Sequence, residues 1–267
     1  MDRAPVVFIH GMFMTATCWG GWAEHFHARG RHVEALEWPL RHAPVEVLRS
    51  HHPDPELGKL TLTRILDEHA AHIAAMPEPP VLIGHSMGGL IVQLLVGRGL
   101  GVAGVAIDSA PPMGVFTPKW SFLKSNWAMI DPFVRASAPR LIPLDAFRYA
   151  FANTLLPQVQ EELYERFVVP ESRMVPRQSL TSVARVEFGK PHAPLLFIAG
   201  GADHIIPASL NRTNALRYSD AGSITDLREF EGRDHLTIVE PGWEAVADFT
   251  LDWLDRMAPE TAADGVQ

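Results

Sequence analysis

Pro80-Val81-Leu82-Ile83-Gly84-His85-Ser86-Met87-Gly88-Gly89-Leu90-Ile91-Val92-Gln93-Leu94-Leu95-Val96 is the stretch from which the rest of the chain can be read. Residues 80–83 form a short apolar run, as in a strand buried on both faces. Residues 90–96 are apolar nearly all round, as in a buried helix. Between them, Gly84-His85-Ser86-Met87-Gly88 fits the pattern G-x-S-x-G. A strand that turns directly into a helix holds its central residue in a strained conformation, with the serine Oγ exposed above the sheet. Such a turn crowds backbone against backbone, so Gly84, Gly88 and Gly89 suit positions where a Cβ would clash. The Met87 amide then lies at a helix N-terminus, able to donate to an oxyanion.

Composition narrows the classes to consider. The chain has 267 residues, 47% of them apolar, which suits one α/β domain carrying an insertion. A net charge of −8 without any basic run argues against a nucleic-acid partner. Cys18 is the single cysteine, so no intrachain disulfide can form, and a reducing, cytoplasmic setting is expected. The apolar run at residues 6–9 is too short for a signal sequence. The apolar region 81–107 is interrupted by His85, Gln93, Arg98 and several glycines, so no membrane span is expected.

Outward from the Ser86 turn, Val6-Val7-Phe8-Ile9 reads as a doubly covered strand that ends in His10-Gly11-Met12-Phe13. A small residue just past that strand would let the backbone rise over the sheet and aim the Met12 amide at the same point as the Met87 amide. The periodicity predicts helices over 19–29, 61–76 and 243–257, and strands over 33–38, 102–107, 195–199 and 226–230. His69, on the inner face of the second helix, is expected to be a satisfied interface residue. From 113 to 190 no strand-like run occurs. Helical pieces are expected there at 145–155, 157–167 and 176–188, with Asp145 as an N-cap and Pro157 and Pro176 in first turns. Residues 1–112 and 191–258 then form the core, 113–190 a helical lid, and 259–267 a flexible tail. Phe13, Met113, Trp120 and Trp127 are the candidate lining of a substrate pocket beneath that lid.

A serine nucleophile needs a base, and the base needs an acid to fix its tautomer. Both are sought just past strand ends, where ligands bind in open α/β sheets. His235 follows the last strand, and Asp203 follows the strand at 195–199 in the glycine-led turn Gly200-Gly201-Ala202-Asp203. Asp108 also follows a core strand and stays open as an alternative acid, while Asp234 adjoins His235 and is poorly placed to orient it. His10-Gly11, the G-x-S-x-G turn, Gly201-x-Asp203-x-x-x-Pro207 and His235 occur in one order along nearly the whole chain. In that order the sequence resembles the α/β-hydrolase superfamily, in its lidded serine esterase and cofactor-free haloperoxidase-like branch.

The resemblance implies a mostly parallel, doubly wound sheet with helices on both faces and the lid inserted after the sixth family strand. It implies Ser86, Asp203 and His235 as the catalytic residues, and the backbone amides of Met12 and Met87 as the oxyanion hole. The expected activity is cleavage of a carboxylic ester, lactone or thioester of a small to medium apolar substrate through an acyl-serine. Perhydrolysis and carbon–carbon bond hydrolysis would use the same three side chains, and a non-catalytic ligand receptor is a third possibility. No metal is expected, since the histidine pairs lack a recognised ligand spacing, and no cofactor, since no phosphate-binding glycine loop occurs. Because no strand precedes Val6, the family's usual first hairpin is expected to be missing, and pairing of sheet edges could make a homo-oligomer.

Overall fold

Strands that carry no acidic or basic side chain other than one histidine stand at the centre of the molecule. The computed structural model describes residues 3–257. Its strands are β1 (Val6–Ile9), β2 (Val33–Leu36), β3 (Val81–His85), β4 (Ala103–Ile107), β5 (Leu195–Gly200) and β6 (Thr225–Phe230). β1, β3, β4 and β5 are buried at every residue, as strands covered on both faces must be. β2 and β6 mix charged residues into their sequences and form the edges. The order is β2-β1-β3-β4-β5-β6, and every pairing is parallel. The sheet anticipated as mostly parallel is thus wholly parallel among the described residues. The chain leaves β1 for β2 on one side and returns to place β3 on the other. This order reversal opens a crevice at the carboxyl ends of β1 and β3.

The helices are α1 (Gly20–Ala28), α2 (Val45–Ser50), α3 (Leu62–Ala74), α4 (Met87–Gly97), α5 (Trp120–Ile130), α6 (Leu144–Ala150), α7 (Pro157–Phe167), α8 (Met174–Gln178), α9 (Ala208–Ala215) and α10 (Glu244–Met257). Alternate strand residues feed two cores. Phe8, Ile83, Val105 and Ile198 pack with Trp22 and Phe26 of α1 and Trp253 and Leu254 of α10. Val7, Ile9, Leu82 and Phe197 pack with Ile65 and Leu66 of α3, Ile91 of α4 and Leu210 of α9. Every residue of α4 from Met87 to Val96 is buried, which explains why its sequence shows no polar face.

Between β4 and β5 the chain forms α5 to α8 and a 3-10 turn at Ser182–Ala184, with one isolated antiparallel bridge between Arg140 and Glu171. Three expectations need correction there. The helix anticipated at 145–155 ends at Ala150. Asp145 lies inside its first turn, while the N-cap position belongs to Pro143, which has no side-chain donor or acceptor to offer. The helix anticipated at 176–188 is split into α8 and the 3-10 turn. α5 was not anticipated at all: its apolar residues are spread round the helix and Met129 alone is buried, so no stripe marks it. Pro157 and Pro176 do fall in first turns, where a missing N–H costs nothing. The tail anticipated at 259–267 lies outside the described residues. Among the described residues no helix is long and apolar enough to cross a membrane.

Candidate active site

Ser86 sits between the end of β3 and the start of α4 with φ 57° and ψ −117°. A non-glycine residue at positive φ is strained, and the surrounding backbone enforces it. A Cβ on Gly84 would run into the Gly88 carbonyl, and one on Gly88 into the Ile9 carbonyl, so neither position admits a side chain. The loop after β1 closes on the same point. A Cβ on Gly11 would lie 2.7 Å from Ser86 Cβ. His10 anchors this loop: its Nδ1 lies 2.8 Å from the Gly11 carbonyl, its Nε2 lies 2.9 Å from Glu37 Oε1 and 3.2 Å from the Trp38 amide, and its ring stacks on Trp38.

Three side chains from three loops form one row. His235 Nε2 lies 2.9 Å from Ser86 Oγ, and His235 Nδ1 lies 2.6 Å from Asp203 Oδ2. Asp203 Oδ1 also accepts the amides of Ile205 and Ile206, each at 2.8 Å. With Oδ2 as acceptor, Nδ1 carries the imidazole proton, which leaves Nε2 free to receive the serine proton. His235 is fully buried, and burial pushes its pKa down to about 3, so the resting ring is neutral. Burial holds the Asp203 carboxyl well above the ordinary range, and the hydrogen bonds from the two amides offset part of that rise.

Asp108, the alternative acid, is placed differently. Its Oδ1 accepts the Gly200 amide at 2.6 Å, and among the described residues Oδ2 has no hydrogen-bond partner and neither oxygen bonds His235. Burial, followed by the charge of Asp203, drives its carboxyl well above the ordinary range. Asp234 turns away from the row: Oδ2 accepts Thr154 Oγ (2.8 Å) and the Thr154 amide (3.1 Å), tying the loop after β6 to the segment between α6 and α7. His85 packs behind the row, with Nε2 at 2.8 Å from the His235 carbonyl. Ligating atoms of His85, Asp108 and His235 lie within 4.8 Å of one another. Both His235 nitrogens, however, are committed to Ser86 and Asp203.

Ser86 opens on a cavity of about 570 Å³. Met12 and Met87 line it, and among the described residues neither amide is taken up in a hydrogen bond. The Phe13 amide, by contrast, is bound to Glu171 Oε2 at 3.1 Å, and the Phe13 carbonyl accepts the Val169 amide at 2.9 Å. Phe13, Met113 and Trp127 line the cavity. Trp120 does not: it stands 73% exposed at the start of α5, outside the wall. It occupies the first helical position, where no neighbouring element covers it. Sequence reasoning missed Ile142 and Arg140 in the wall and Glu171 behind it. No spacing marks them, because the irregular path between short helices decides where each one points.

Residues 6–249 match the sequence model of the alpha/beta hydrolase family, and the chain belongs to that family. Among solved structures, it resembles a monoacylglycerol lipase from Paleococcus ferrophilus (20% identity, TM-score 0.67, 96% of this chain and 97% of the other). It also resembles tomato methylketone synthase I bound to 2-tridecanone (13% identity, TM-score 0.69, 96% and 100%). A pyrethroid hydrolase from Sphingobium faniae is similar as well (18% identity, TM-score 0.63, 96% and 99%). At these identities the likeness is one of fold. No curated protein matches the sequence.

Proposed function

We propose that this chain is a serine hydrolase that cleaves carboxylic esters with an apolar acyl or alcohol part. The observation that carries this reading is the row Ser86–His235–Asp203, which ends at the floor of a cavity walled by groups such as Met129, Ile142 and Phe151. Neutral His235 takes the serine proton as Oγ attacks the ester carbonyl. Negative charge then develops on the carbonyl oxygen, and the amides of Met12 and Met87 are the donors suited to hold it. His235 returns the proton to the leaving alcohol, and an acyl-Ser86 remains. Water, activated by the same ring, releases the acid. Asp203 holds the ring in its tautomer and stabilises the imidazolium formed in each half-reaction. The helices between β4 and β5 serve as the lid, with boundaries 113–190, because they supply most of the cavity wall over Ser86. That the named neighbours include a lipase and a pyrethroid hydrolase supports an ester substrate.

The test is turnover of p-nitrophenyl esters, acetate through decanoate, by wild type and Ser86→Ala side by side, with circular dichroism as the check on folding. The wild type is expected to turn over at least one chain length, and a folded Ser86→Ala to lose that activity by several orders of magnitude. Equal turnover in the two would overturn the mechanism. An inert wild type would overturn the ester reading.

A further inference from the structure

Arg173 has two arginine neighbours, Arg140 and Arg177, and among the described residues none of the three forms an ion pair. Arg140 lines the cavity that opens on Ser86, and among the described residues its side chain has no hydrogen bond or ion pair. Arg173 is 7% exposed, and its Nε and Nη1 are buried without a hydrogen-bond partner. Arg177 is satisfied by neutral acceptors: its Nη2 donates to the carbonyls of Asp131 (2.6 Å) and Val134 (2.8 Å), and its Nε to that of Met129 (3.3 Å).

Arg173 lies close enough to Arg140 and to Arg177 to feel both charges. Burial, then the charges of Arg140 and Arg177, press the Arg173 guanidinium below its usual range, and burial does the same to Arg140. The antiparallel bridge explains the proximity. Arg140 exchanges both backbone hydrogen bonds with Glu171, two residues before Arg173. Among the described residues no carboxylate forms an ion pair with the three arginines. Glu171 is bound by Arg41 at 2.7 Å, Asp145 on the cavity wall pairs with Arg148 at 3.5 Å, and Asp131, whose charge favours the Arg173 cation, accepts the Phe133 amide. Arginine cannot shed its proton to relieve the crowding. A buried guanidinium without an ion-pair partner is unfavourable until an anion completes it.

We propose that Arg140, with Arg173 beside it, forms an anion subsite of this cavity, and that the ester cleaved at Ser86 carries a free carboxylate at its far end. This rests on the hydrolase reading above. A carboxylate suits the site because the planar guanidinium fork matches two oxygens at once. The wall shared with Arg140 is mostly apolar, with Met129, Ile142 and Pro176 among its groups beside the polar Lys124, Asn126 and Asp145, so an aliphatic chain suits the space between the two ends. The substrate class is therefore a half ester of an aliphatic dicarboxylic acid.

Mono-p-nitrophenyl esters of adipic, suberic and sebacic acid are to be compared with neutral p-nitrophenyl esters of equal acyl length. The wild type is expected to favour the half ester in kcat/KM at one or more lengths by tenfold or more. Arg140→Gln is expected to lower that preference at least tenfold, mainly through KM, and Arg140→Lys to keep part of it. Arg173→Gln is expected to act likewise, and Arg140→Gln carries the test if that buried variant does not fold. Independently of turnover, free adipate or suberate is expected to raise the Tm of wild type and not of Arg140→Gln. A preference for neutral esters at every length, or a ratio unmoved in Arg140→Gln, overturns the subsite. Absence of turnover on both series with the dicarboxylate shift intact overturns the hydrolase reading and upholds the subsite. Absence of both the shift and the preference overturns the subsite.

Discussion

Asp203 and Asp108 are both buried and both follow a core strand, and their hydrogen bonds alone separate them. Asp203 accepts from His235 and from two amides of its own turn, whereas Asp108 accepts the Gly200 amide and leaves its second oxygen unpaired. A carboxyl that makes no bond to the imidazole loses little on becoming an amide, while one that fixes the imidazole tautomer loses its purpose. Asp203→Asn is therefore expected to lower kcat by about 10⁴. Asp108→Asn is expected to change it by no more than about threefold, less than about 1 kcal/mol of barrier. Steady-state kinetics on one p-nitrophenyl ester decides it, and a reversed order of the two variants would make Asp108 the acid. Sequence reasoning reached Ser86, Asp203 and His235 because each follows a strand in a turn with a readable pattern. It ranked the two acids by motif alone, since sequence position does not show which oxygen faces which nitrogen.

The element beneath the site is α4, which packs so closely under β1 that Gly88 touches the strand backbone, while Gly97 at its far end faces open space. Gly88→Ala is expected to destabilise the protein by at least about 3 kcal/mol. Gly97→Ala is expected to stabilise it by about 0.5–1 kcal/mol, because the unfolded chain loses freedom and nothing in the fold is disturbed. Urea unfolding of the two variants tests the pair, and equal signs would refute the packing account. Above the site, the segment through Val169 and Glu171 grips the loop after β1 at both backbone groups of Phe13, which sits at φ 63°. Glu171 is itself held by Arg41 inside the protein. Glu171→Gln leaves that arginine buried without a counter-charge, an expected cost of about 3–5 kcal/mol. It also loosens the loop that carries the Met12 amide. Turnover of the folded fraction is expected to fall about tenfold, equal to about 1.4 kcal/mol of barrier, with KM little changed. Unchanged kcat would reduce Glu171 to a structural role. The helices α3, α4, α7 and α10 were legible because burial on one side or on all sides writes itself into residue spacing. α5 was not, because it forms part of a cavity wall and buries almost nothing.

At the scale of the whole molecule, burial of neutral histidines ties stability to pH. His69 of α3 is buried with Nε2 unpartnered, and burial, then the charge of His10, lowers its pKa from 6.5 to about 4. Its expected role as a satisfied interface residue is therefore met only in part. Between pH 6.5 and 4 the unfolded chain binds a proton that the folded chain refuses. Wild-type stability is thus fully present above about pH 6.5 and is lost as pH falls. His69→Gln lacks this term, so its stability relative to wild type is expected to improve by about 2–3 kcal/mol from pH 7 to 4.5. Urea midpoints of both proteins at the two pH values measure the change, and parallel midpoints would refute it. The sequence alone determined the strands, the Ser86 turn and the chain order Ser86, Asp203, His235, because strand burial and tight turns act on neighbouring residues and leave local patterns. The tertiary structure alone decided that Asp203 and not Asp108 meets His235, that Trp120 lies outside the cavity, and that Glu171 and Arg140 lie beside it. Those outcomes depend on contacts between segments far apart in the chain, and no local spacing records them.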